Sequence, residues 1–132
     1  MKTFAFVSRA VVLEDPEGQS HFVGLADDAA DPNVYLIITR AKEYEAQDIV
    51  LGIATYHVEF CGEGQSGYGG VKEACLSPEG LDLIFSEAGV EYLDGLESMS
   101  VKFQVDGRVL EKLKKVLLNI FEGSSCAFRA AA

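Results

Sequence analysis

Residues 108–122 read RVLEKLKKVLLNIFE, and their spacing decides the fold class. Leu110, Leu113, Leu117, Ile120 and Phe121 recur every three or four positions with Val109 and Val116 beside them, while Lys112, Lys114 and Lys115 fall mainly elsewhere. That period lays one apolar stripe along a helix. Asp106 stands where its carboxylate can cap the first turn, and Gly123 is a natural stop. Upstream, apolar and polar residues alternate as in half-buried strands. A single amphipathic helix after several such strands predicts an α+β fold, a mostly antiparallel sheet packed on one face by the C-terminal helix.

Working back from the helix, residues 98–105 (SMSVKFQV) alternate Met99, Val101, Phe103 and Val105 and make a last strand. Residues 71–76 (VKEACL) and 81–85 (LDLIF) make two more. GEGQSGYGG at 62–70 holds five glycines in nine residues, which permits positive φ and tight reversal in a hairpin or a wide loop. Residues 53–61 (IATYHVEFC) put Ile53, Thr55, His57, Glu59 and Cys61 on one face and Ala54, Tyr56, Val58 and Phe60 on the other. NVYLIITR at 33–40 reads as a central strand covered on both faces. Residues 21–26 form a short strand closed by DDAADP, and residues 2–14 a first strand and loop ending in Asp15-Pro16-Glu17-Gly18. EYEAQD at 43–48 is a loop or one helical turn, and SEAGVEYLDG at 86–95 a short helical or irregular connection. With no repeat or linker to divide it, the chain reads as a single domain over 1–123 and a loosely held tail over 124–132.

Composition sets the outer limits. At 132 residues one domain is the default, and it buries roughly two thirds of the surface its unfolded chain exposes. An apolar content of 48% argues against disorder, so the net charge of -10 must sit on the outside of a folded body. Such a surface repels a polyanion, which disfavours nucleic acid as a partner. The N-terminal residues lack the apolar run and cleavage site of a secretory signal, and no stretch approaches the roughly 18 apolar residues that cross a bilayer. Three cysteines without CxxC spacing suit reduced thiols in a cytoplasmic protein, although Cys61 and Cys75 could face each other across a hairpin.

The negative charge is concentrated. Residues 59–97 hold nine acidic side chains against Lys72 alone, whereas residues 98–132 hold three acidic and six basic. If the middle stretch forms a contiguous hairpin and loop, its field accelerates encounter with a basic partner; otherwise it is a solvated face that serves solubility. Glu59, Glu63, Glu73, Glu79 and Asp82 are the candidate partner-binding carboxylates. Tyr68, set between glycines, joins them as an exposed aromatic contact or folds back to cap the sheet edge.

Little points to catalysis. His21 and His57 have no metal-ligand spacing, Asp27, Asp28 and Asp31 lack the glycine and terminal glutamate of a calcium loop, and the glycine-rich segment is not a phosphate loop. No metal, cofactor or catalytic residue is therefore expected. His57, Glu59 and Cys61 would share a strand face, which could describe a cysteine nucleophile with its base, but such alternation is more often the wet side of a sheet.

Gln47-Asp48-Ile49-Val50-Leu51-Gly52, the strand carrying Tyr56-His57-Val58-Glu59, the segment Gly67-Tyr68-Gly69-Gly70-Val71, the strand over 81–85, Val101-Lys102-Phe103 and a closing helix ending Leu117-Leu118-Asn119-Ile120-Phe121 together resemble the immunity protein 10 family of bacterial polymorphic toxin systems. The resemblance spans residues 20–122 and leaves out the Ala-rich end. Its distinctive part is the ordered combination of the QDIVLG-type segment, Tyr-Gly-Gly and the closing helix. It implies a cytoplasmic antitoxin that protects a cell by binding a cognate toxin rather than by catalysis, and it marks no position as a toxin contact. Toxins that are nucleases have basic substrate clefts, which a concentrated acidic surface can block. The competing reading is a small-molecule-binding or regulatory domain with its pocket between helix and sheet. An uncovered edge strand would make a homodimer easy.

Overall fold

The computed structural model describes residues 2–51, 54–61 and 65–130. In chain order its elements are β1 (Thr3–Val7), β2 (Ala10–Val12), β3 (Ser20–Ala26), β4 (Tyr35–Ala41), α1 (Ala46–Val50), β5 (His57–Phe60), β6 (Ser66–Tyr68), β7 (Val71–Ser77), β8 (Gly80–Phe85), α2 (Glu87–Tyr92), β9 (Ser98–Lys102), α3 (Gly107–Phe121) and β10 (Ala127–Ala130). The class is α+β, as the helix and strand periods require, but the strands divide into two five-stranded sheets. The first runs β1-β9-β8-β7-β10 and the second is the meander β2-β3-β4-β5-β6. Pairing is antiparallel except at β1 with β9 and β10 with β7.

The strand expected over the first residues splits because the chain changes sheet at Ser8. Its backbone N–H donates to Lys102 O at 2.7 Å in the first sheet, while its hydroxyl donates to Ala10 O at 2.8 Å in the second. Ser8 is only 5% exposed, and these bonds satisfy a buried polar group that would otherwise cost stability. Of the segment read as a loosely held tail, Ala127–Ala130 form β10, in which Phe128 pairs with Ala74 and its ring lies 5.9 Å from that of Phe121, while residues 131–132 lie outside the described residues. The strand expected over 53–61 is shorter than its alternation suggested: β5 ends at Phe60 because Cys61 adopts φ 54, while Ile53 lies outside the described residues. Cys61 follows β5 of the second sheet and Cys75 lies in β7 of the first, so the two do not face each other across one hairpin, and both are free thiols, as is Cys126.

α3 begins as its sequence dictates, with Asp106 Oδ1 accepting from Val109 N–H at 2.9 Å. Leu113, Leu117, Ile120 and Phe121 are buried, against β3 and β4 and beside β10. Each buried leucine contributes about 2 kcal/mol. At the far end Arg40 of β4 donates to the carbonyls of Asn119, Ile120 and Glu122, a cation at the negative end of the helix dipole. Leu25, Leu36 and Ile38 of the second sheet, Leu81, Met99 and Val101 of the first, and the inward stripe of α3 fall in one buried cluster. Tyr56 fastens the two sheets: its hydroxyl accepts from Val71 N–H at 2.8 Å and donates to Val71 O at 3.2 Å. Burial pushes that phenol up to about 12.

Candidate functional site

Because both sheets turn one face to a shared core, each has a face pointing away from it, and strand register says what lies there. On the first sheet, Ala127, Glu73, Ile84, Ser98 and Thr3 form one outward row, and Arg129, Cys75, Asp82, Ser100 and Ala5 the next. Most of these side chains are short. Ile84 stands 44% exposed in their midst, although Leu83 and Phe85 on either side of it are buried.

α2 follows β8 directly and walls a cleft of about 720 Å³ over this face. Asp82, Glu87, Glu91 and Glu97 line the cleft, with Lys72 the one cation among the described lining residues and Ile84 and Val90 supplying apolar surface. Glu87 and Glu91 are four apart on a helix and so share a side, with Val90 between them. Glu97 accepts the backbone N–H of Lys2 at 2.9 Å. Asp82, Glu87 and Glu91 have no ion-pair partner among the described residues, where one ion pair is formed, Lys112 with Glu14 at 2.8 Å. Three uncompensated carboxylates around an apolar floor make a surface that favours cations.

The glycine-rich segment holds α2 in place. The Tyr92 hydroxyl donates to Gly69 O at 2.6 Å, and its ring lies where a Cβ on Gly67 would be. Gly70, at φ 93, would carry a Cβ only 2.7 Å from the Tyr92 oxygen, and a Cβ on Gly89 would collide with Gly70 O. Ser86 N–H donates to that same carbonyl at 2.9 Å. The glycines are therefore a seat for α2, since only residues without Cβ let the two backbones approach so closely. Burial pushes the Tyr92 phenol above its ordinary range.

The outward face of the second sheet differs. Phe22, Thr39, His57 and Tyr68 form one row and Val12, Gly24, Ile37, Glu59 and Ser66 the next. His57 and Tyr68 meet edge to face at 4.9 Å, and the Phe22 ring lies across Gly24. Tyr68, 48% exposed, thus packs on this sheet in the row beside that of Glu59, whereas Glu73 and Asp82 belong to the other sheet.

The sequence-derived candidates are consequently dispersed. Glu73 and Asp82 share the outward face of the first sheet, and Asp82 lines the cleft. Glu79 sits in the β7–β8 turn at the opposite end of β8 from α2. Glu59 and Tyr68 are on the second sheet, and Glu63 lies outside the described residues. Glu87, Val90 and Glu91, which line the cleft, were not among these candidates, although their spacing in EAGVEY marks a helix side with two carboxylates.

His57 and Glu59 do share a face, but Cys61 leaves the strand and donates its N–H to Tyr35 O at 3.1 Å, so the three form no continuous row. Among the described residues no group of three His, Cys, Asp or Glu side chains could hold a metal ion, and no helix is long and apolar enough to cross a membrane. The space beneath the middle of α3 is filled by its own core residues Leu113, Leu117 and Ile120 at 0% exposure, and the cleft beside α2 is not lined by that helix.

Comparisons with curated proteins and with solved structures returned no match. A family model does match, over residues 7–111, from the end of β1 into α3 and across both sheets and the cleft. The chain belongs to the Immunity protein 10 family.

Proposed function

We propose that this protein neutralises a cognate toxin of a bacterial polymorphic toxin system, in the cytoplasm, by binding it through an acidic surface and without catalysis. Family membership carries the reading. The charge distribution supports its physical form: with a net charge of -10, the molecule attracts a basic partner and repels nucleic acid and anionic membrane. Electrostatic attraction of this kind raises association rates by roughly one to three decades at low salt. A toxin with a basic substrate cleft is the partner such a field suits, and occupying that cleft suffices to silence it. No cofactor enters the scheme.

The test is titration of purified protein into the toxin domain encoded by the adjacent gene. A stoichiometric complex on size-exclusion chromatography, with toxin activity falling linearly to zero at one equivalent, is expected. Undiminished toxin activity, or turnover of a substrate by the purified protein itself, would overturn the reading.

A further inference from the structure

We infer that the cleft between α2 and the outward face of the first sheet is the toxin-docking site, and that it receives a toxin segment carrying arginine or lysine next to an apolar side chain. The inference rests on the proposed function and deepens it by naming the surface and the chemistry of the segment.

Complementarity is the argument. Asp82 on β8 and Glu87 and Glu91 on α2 approach the cleft from two elements, so a cation entering it meets carboxylates from the sheet and from the helix. None of the three has an ion-pair partner among the described residues, so docking need break no such pair in this protein. Between them Ile84 and Val90 offer apolar surface. The (CH₂) stem of an arginine or lysine, or a neighbouring aliphatic side chain, would cover it while the cationic head reaches the rim. Within the cleft, Ser98 and Ser100 keep the platform low enough for a backbone to approach. The exposed apolar run Ile49, Val50 and Leu51 at the end of α1 is the other conspicuous patch, but nothing of comparable charge complementarity says what would cover it.

Affinity for the toxin domain encoded by the adjacent gene, measured by biolayer interferometry at two salt concentrations, tests the assignment. The panel is wild type, D82K/E87K/E91K, D82N/E87Q/E91Q, E59Q/Y68A and I49S/V50S/L51S, each checked for folding by circular dichroism. The reversal should weaken binding at least about a hundredfold, and the neutral set about tenfold with most of the salt dependence gone and slower association. E59Q/Y68A and I49S/V50S/L51S should bind as wild type. Unchanged binding by both cleft variants while wild type binds tightly would overturn the docking site and leave the proposed function standing. So would loss confined to either control set, or a wild-type dimer that the reversal converts to monomer, which would assign the cleft to a second copy. Failure of wild type to bind at all would overturn both.

Discussion

The two outward faces each belong to a five-stranded sheet and are finished in opposite ways. On the second sheet His57 and Tyr68 meet ring against ring and the Phe22 ring lies across Gly24, so part of the face covers itself. On the first, serines, alanines, Thr3 and Cys75 leave the sheet low and accessible, and the bulk is moved to its end, where α2 rises as a wall. Self-covering aromatic side chains gain stability from one another, and need no partner. Short side chains gain little by packing, so a face made of them is free to be covered from outside. Asp82, Glu87 and Glu91 stand together on the open side without an ion-pair partner among the described residues, whereas Glu59 is the one carboxylate in the outward rows of the second sheet.

The comparison can be broken or sharpened by substitution. The largest effect is expected at Gly89→Ala, whose new Cβ meets the Gly70 carbonyl: about 3 kcal/mol of unfolding free energy should be lost in urea denaturation. A loss below about 0.5 kcal/mol would show that α2 is not seated as described. On the self-covered face, Phe22→Ala removes a half-buried ring and should cost about 2 kcal/mol while leaving toxin affinity unchanged. Ser100→Trp should do the reverse, altering thermal stability little but weakening toxin binding about tenfold, or about 1.4 kcal/mol, by raising bulk on the platform. Equal binding by that variant would argue that the platform is not covered. Tyr92→Phe, which deletes only the hydroxyl bonded to Gly69 O, should cost about 1 kcal/mol.

The smallest effect concerns pH, at the edge where β10 closes the first sheet. Burial, with Glu73 adding to it, pushes the Cys126 thiol up to about 11 from an ordinary value of 9.0. A raised pKa means the fold favours the neutral thiol. Its stability contribution is whole below pH 9 and is lost as pH rises through 11. Unfolding curves of wild type and Cys126→Ser across that window should therefore converge as pH rises, with wild type falling faster.

α3 was legible in the sequence because cap, period and stop agree: Asp106, the stripe through Leu113 and Leu117, and Gly123 all act within one turn of their neighbours. The strands β7 and β8 were legible for the same reason, the buried and outward residues of β8 alternating through Leu81, Asp82, Leu83 and Ile84. The sheet change at Ser8 was not, because β1 and β2 alternate alike and the bonds that separate them reach Lys102 and Ala26, far along the chain. β10 escaped notice since AFRA has little strand propensity of its own and owes its conformation to parallel pairing with β7. At the site, outward placement of Glu73 and Asp82 follows from alternation, but period two cannot say which of two sheets a residue faces away from. Glu59 and Tyr68 were grouped with them by proximity in sequence and belong to the other face. The seat made by Gly67, Gly70, Gly89 and Tyr92 is a contact between backbones that only the folded chain brings together.

Survival of cells expressing the adjacent toxin tests the central claim most directly, with either wild type or the D82K/E87K/E91K protein supplied at matched abundance. Wild type should restore growth and the reversed protein should fail to do so. Equal protection by both would contradict the claim that this molecule silences its toxin through the acidic cleft.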